Sequence, residues 1–164
     1  MRIERALVLL AAVAVLLVAP SPAAAQEVTA QGVGFRVGVS AKPDQVFGGF
    51  MIDFGELTEN LFFRPNLEVG FGDDETAITL NGALHYVFGM KWGVWNPYAG
   101  GELGVNYRKF DDDAPGDDSS DTGLGVNLIG GMQTPRGGGG NYLFELKLGL
   151  AEKPDAKFLF GITF

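Results

Sequence analysis

From Gln31 onward the chain repeats one pattern: large apolar residues at every second position, with glycine, small or polar residues between them. A period of two is a strand's period, because successive side chains on an extended backbone point to opposite faces. Eight such segments can be read. The first, about Gln31 to Ser40, sets Val33, Phe35, Val37 and Val39 against Gly34, Arg36 and Gly38. The others run about Gln45 to Gly55, Phe63 to Gly72, Thr76 to Phe88, Asn96 to Arg108, Asp121 to Gln133, Asn141 to Ala151 and Lys157 to Phe164. Turn chemistry separates them, as in Lys42-Pro43-Asp44, Gly72-Asp73-Asp74 and Lys153-Pro154-Asp155. The last segment is the plainest, with Phe158, Phe160, Ile162 and Phe164 opposite Lys157, Leu159, Gly161 and Thr163. No stretch after Ala25 sustains a helical period, so the pattern predicts an all-β protein with an even number of antiparallel strands.

Alternation alone fits two architectures. A soluble barrel turns its apolar face inward around a ligand pocket; a membrane barrel turns it outward to lipid. Two details favour the membrane form. Glycine and small residues crowd the polar face, which suits the narrow lumen of an eight-stranded barrel and would only weaken strands on a wet exterior. The same face carries Arg36, Glu68, Glu102, Asn127, Glu145 and Lys147 at mid-strand. A basic side chain facing lipid at the midplane costs ~2–4 kcal/mol, so these groups are expected inside, paired as an ion-pair belt. The expected fold is therefore an eight-stranded, up-and-down antiparallel transmembrane β-barrel, its strands close to the ~9–11 residues of a tilted membrane strand.

The N-terminal segment agrees with export. Arg2 and Arg5 precede the apolar run Ala6 to Ala19, followed by Pro20, Ser21, Pro22 and Ala23-Ala24-Ala25. That order predicts a signal peptide over residues 1–25, cleaved after Ala25, and a barrel domain over 26–164. The run is short of the ~20 apolar residues that span a bilayer as a helix. Twenty-five glycines and thirteen phenylalanines fit an all-β chain, and the absence of cysteine rules out disulfide stapling. The formal net charge of −8 argues against a nucleic-acid partner, which calls for a basic face.

On these residues the chain resembles the small eight-stranded outer-membrane barrels of Gram-negative bacteria, the superfamily that contains the barrel of outer membrane protein A and the opacity proteins. The resemblance covers about Gly32 to Phe164. It implies a bacterial outer-membrane location, with outer-membrane lipid and lipopolysaccharide as surroundings and a monomeric barrel. It also implies that the C-terminal strand, through Phe158, Phe160, Ile162 and Phe164, is the signal read by the barrel-assembly machinery. Interior ion pairs in the resembled barrel are proposed to open and close a narrow pore, which suggests weak conductance here. With both termini on the periplasmic side, the only long outer loop is 109–120, which does not favour an adhesin.

The remaining chemistry is sparse. The inward belt reads as a structural polar plug; a gate or solute path is the alternative. The run from Asp111 to Asp121 holds six aspartates. It reads as a solvated, self-repelling loop, because an EF-hand counted from Asp111 would place Pro115 and Thr122 at ligand positions. His85 is the single histidine and faces inward without a nearby strand serine, so it reads as a lumen hydrogen-bonding residue. Gly137-Gly138-Gly139-Gly140 lacks the lysine and hydroxyl of a phosphate loop, and Trp92 and Trp95 read as interfacial anchors. No catalytic residue, cofactor or metal site is expected. The expected role is structural or envelope-associated, with a passive channel for small or apolar solutes and a secreted ligand-binding barrel as alternatives.

Overall fold

The structure is a computed structural model and describes residues 29–73, 75–110, 120–151 and 156–164. The expected leader (1–25) and most of the acidic run (111–119) lie outside the described residues. The strands are β1 (Gly32–Ala41), β2 (Gln45–Asp53), β3 (Glu56–Thr58), β4 (Leu61–Phe63), β5 (Asn66–Gly72), β6 (Glu75–Val87), β7 (Asn96–Phe110), β8 (Ser120–Pro135), β9 (Asn141–Ala151) and β10 (Ala156–Thr163). Eight of them close a ring of antiparallel neighbours, β1-β2-β5-β6-β7-β8-β9-β10, and β10 pairs back onto β1 from Gly34↔Thr163 to Ala41↔Ala156. β3 and β4 form a short hairpin that continues the walls of β2 and β5. The breaks fall at Phe54-Gly55 and at Arg64-Pro65, the latter where proline has no N–H to give to a ladder. Backbone bonds from Ile52 N to Pro65 O and from Phe54 N to Phe63 O carry the pairing across both breaks.

The expected eight strands are all present, with altered ends. β7 and β8 run to Phe110 and back from Ser120, because their pairing persists as far as Lys109↔Ser120. The end that holds Gly32 and Phe164 is the terminal end; the end that holds the turn at 42–44 and Gly72 is the loop end.

The barrel is inside out relative to a soluble protein. Val33, Phe35, Val37 and Val39 of β1 are exposed, as are Leu80, Leu103, Leu124, Leu128, Phe144, Leu148 and Phe158. Arg36, Glu68, Glu102, Glu145, Lys147 and His85 are buried in the lumen. Such a surface suits hydrocarbon, and closure leaves no unsatisfied edge within it. The lumen is not uniformly polar: Phe47, Met51, Tyr98, Ile129, Leu143 and Leu159 also point inward and are buried. Glycine makes room for them. A Cβ on Gly38 would meet the carbonyl of Phe158 and stand 2.7 Å from the Phe47 ring.

A closed ladder of this kind has no fraying edge strand from which a detergent can start unfolding. Unheated protein in SDS is therefore expected to migrate apart from boiled protein on a gel. Identical mobility of the two, together with release by carbonate wash, would contradict a membrane-inserted barrel.

Candidate functional site: a charged lumen

Alternation fixes which side chains enter the lumen, and the register fixes which of them meet. Arg36 comes from β1, Glu68 from β5, Glu102 from β7, Asn127 from β8, and Glu145 and Lys147 from β9. The structure brings all six together. Lys147 Nζ donates to Glu68 Oε1 at 2.9 Å and to Glu102 Oε2 at 2.7 Å. Arg36 donates to Glu68 at 3.3 Å and lies 3.5 Å from Glu145. Asn127 Nδ2 donates to the second Glu102 oxygen at 3.0 Å.

Four further groups complete the set. Lys157 Nζ, from the start of β10, reaches Glu68 Oε2 at 2.8 Å. Three carboxylates (Glu68, Glu102, Glu145) thus face three cations (Arg36, Lys147, Lys157). Asn66 donates to Glu102 at 3.1 Å and accepts from Asn81 at 2.9 Å. Tyr98 donates its hydroxyl to Glu145 at 2.9 Å. Buried charges persist only when paired; every charge of this cluster has an opposite partner, drawn from most of the wall, although Arg36 Nε and Glu145 Oε1 lack a hydrogen bond.

Toward the terminal end lies a second polar layer centred on Arg64. Its Nε stands 2.9 Å from Asp53 Oδ2, its NH1 donates to Gln133 at 3.0 Å, and the same NH1 lies 3.4 Å from His85 Nδ1. His85 stacks on Tyr98 with ring centroids 5.0 Å apart, and its Nε2 is 3.7 Å from Glu145. Toward the loop end the lumen opens into a shallow polar depression lined by Gln45, Glu75, Thr79, Asn106, Arg108 and Lys157, with Gln45 donating to Glu75 at 2.8 Å. Among the described residues no cluster of three or more potential metal ligands exists.

Alternation read the six belt residues onto one face but did not single out Lys157, Arg64 or Tyr98. Lys157 was legible as an inward position at the strand start. Arg64 stood beside Pro65, where a strand edge is expected.

Of the expected assembly signal, Phe158, Phe160 and Ile162 lie on β10, where Phe158 is 63% exposed, and Phe164 follows it directly. Phe164 is held at the seam. Its backbone N donates to Val33 O at 2.8 Å, its ring meets Phe35 edge-on at 6.4 Å, and the Arg136 guanidinium sits 4.3 Å above it. Phe164→Ala is expected to lower the amount of membrane-inserted barrel several-fold while leaving synthesis unchanged, and Arg136→Gln should do so more weakly. Normal insertion of Phe164→Ala, measured by heat-shifted mobility of membrane fractions, would remove the terminal residue from the assembly argument. Trp92 and Trp95 bridge a two-residue turn after β6, and Trp95 packs its ring 5.4 Å from Phe144 on the outer wall. Trp95 thus joins the Tyr142, Phe144 and Phe160 cluster on the outer wall, and Trp92, paired with it, is exposed.

No family model and no curated protein matches the sequence. Solved structures do match the fold. Neisserial surface protein A superposes with a TM-score of 0.64 at 13% identity, over 80% of this chain and 93% of that one. The N-terminal β-barrel domain of Pseudomonas aeruginosa OprF gives 0.56 at 12% identity, over 82% of this chain and 98% of that one. The outer membrane enzyme PagL gives 0.46 at 12% identity, over 80% of this chain and 96% of that one, a likeness too slight to bear on chemistry. The fold is that of the small eight-stranded outer-membrane barrels. Closure, an apolar exterior and a charged interior together make it an integral outer-membrane protein, since only a closed barrel satisfies its backbone in hydrocarbon by strands alone.

Proposed function

We propose that the protein has a structural, envelope-associated role, that its lumen is shut by a polar plug, and that it carries out no catalysis. The observation that carries this reading is the balance of the belt: Glu68, Glu102 and Glu145 each have a cation within ion-pair distance, and the side chains that fill the cross-section are buried. A plug of this kind stiffens the barrel and leaves no water column for a solute. The surroundings of His85 support the non-enzymatic reading. It is fully buried, enclosed by Tyr98, Arg64 and Glu145 and turned away from the lipid face. In this reading the leader 1–25 is removed on export, the mature barrel works as a monomer among lipid and lipopolysaccharide, and the assembly machinery reads β10.

A passive channel is the second reading, favoured by the polar depression at the loop end that leads to Lys157. Conductance of the refolded protein in a planar bilayer separates the two. The plug reading expects a silent barrel or brief, rare openings. Sustained ohmic steps at low voltage would overturn it in favour of the channel.

A further inference from the structure

We propose that the lumen is closed twice, by the midplane belt and by an inner latch built on Arg64, and that each layer guards one mouth. The proposal deepens the plug reading and rests on it. The two layers occupy different heights. Along β8 the inward residues Asn127, Ile129 and Gln133 follow in order from the belt to the latch. Along β2, Met51 precedes Asp53, and on β9, Glu145 is separated from the terminal end by Leu143. An apolar cluster of Met51, Ala83, Tyr98, Ile129 and Leu143 packs against both, with Met51 on Arg36 of the belt and Tyr98 stacked on His85.

Arg64 is suited to close the terminal mouth. It is 1% exposed, although it stands at the break between β4 and β5 close to the barrel end. Its guanidinium takes Asp53 from β2, on one side of its own wall, and reaches Gln133 on β8, three places round the ring on the other. A planar fork with several fixed donors can hold two partners at once across a gap, which a lysine could not do as rigidly. The Phe62 ring, 5.0 Å from the guanidinium carbon, backs it. The belt, for its part, stands beneath the loop-end depression, whose floor includes Lys157. The two layers touch through Glu145, which meets Arg36 in the belt and His85 beside Arg64, and through Asn66, which donates to Glu102 and to the Arg64 carbonyl. Disturbing one therefore leaves most bonds of the other in place.

The test uses full-length mature protein refolded in vesicles and in planar bilayers. The chain has no cysteine, so Ala83→Cys adds a single thiol at a buried position whose cross-strand neighbours are Glu102 of the belt and Arg64 of the latch. In the otherwise unchanged barrel that thiol should resist a small, membrane-impermeant cationic thiosulfonate from both sides. With Arg64→Ala it should react from the terminal end only; with Lys147→Ala, from the loop end only. Each single change should add only brief openings, and the two together should raise mean conductance ~tenfold or more above either alone, the non-additivity expected when one pathway is barred in series. Heat-shifted gel mobility identifies folded samples. If Lys147→Ala does not refold, Lys147→Ala with Glu102→Gln removes the carboxylate left without a cation and serves in its place.

A silent parent whose Arg64→Ala or Lys147→Ala variant alone conducts as strongly as the pair would overturn the double closure and leave the plug standing. So would a thiol at position 83 that stays unreactive from the terminal end after Arg64→Ala. A parent that already conducts steadily would overturn the plug reading itself, and the double closure with it.

Discussion

Leu128→Arg is expected to prevent the barrel from assembling. Leu128 lies in the middle of β8, points out of the barrel and is 50% exposed, with Gly101 and Leu148 as its cross-strand neighbours. An arginine there would face hydrocarbon near mid-depth, at a cost of ~2–4 kcal/mol. The guanidinium cannot turn inward without reversing the facing of the whole strand. Leu67→Arg should behave alike, because Leu67 is exposed on β5. The matched inward change is Asn106→Arg, which enters the loop-end depression beside Glu75 and should leave assembly intact. Gly104 is not a usable inward control, although it faces the lumen: a Cβ there would collide with the Asn81 side chain. The readout is the fraction of membrane protein that shows heat-shifted mobility. If Leu128→Arg assembles and Asn106→Arg does not, the facing of the barrel is reversed and the protein is a soluble barrel with an apolar pocket.

Lys147→Met should cost ~3–5 kcal/mol of stability, the usual penalty for removing one partner of a buried ion pair. Lys147 is 1% exposed, and its ammonium is shared between two carboxylates. Their losses differ. Glu68 keeps Arg36 and Lys157, whereas Glu102 keeps only the amides of Asn66 and Asn127. Most of the penalty should therefore come from Glu102, and adding Glu102→Gln to Lys147→Met should recover much of it. Urea unfolding of vesicle-refolded protein, followed by the gel shift, measures both. An unchanged midpoint for Lys147→Met would mean that the lumen holds enough water to solvate the carboxylates, which would count against the plug.

Much of the fold was legible because each face of the barrel meets a single kind of surroundings. Lipid outside makes Val33, Phe35, Val37 and Val39 read as one row, and the register then follows from a period of two. The breaks in β2 and β5 were harder to place, since Pro65 signals an interruption without saying that Phe54 and Phe63 keep pairing across it. The belt was legible as a face, because charges at mid-strand cannot point into hydrocarbon. Its partners were not legible. Lys147 and Glu68 are far apart in sequence, and only the closed ring brings β9 opposite β5. The apolar cluster escaped for a related reason: Met51, Ile129 and Leu143 occupy inward positions, but alternation does not say that they pack together. Pro97 departs from the pattern as well. Its place in the alternation is outward, yet it is buried.

The meeting of three cations on Glu68 bears on how the barrel is finished. Arg36 and Glu68 lie on β1 and β5, with only β2 between them, so their pair can form while the sheet is still open. Lys147 arrives with β9 and Lys157 with β10, the two strands at the far end of the chain. Until β10 meets β1, a carboxylate meant for a dry lumen lacks part of its countercharge, and such a group is costly to enclose. The final ion pair and the final row of backbone bonds therefore form together. Completion of the ring is sensed chemically from within the lumen as well as at its seam, so a sheet that stops one strand short keeps an internal penalty against entering the membrane.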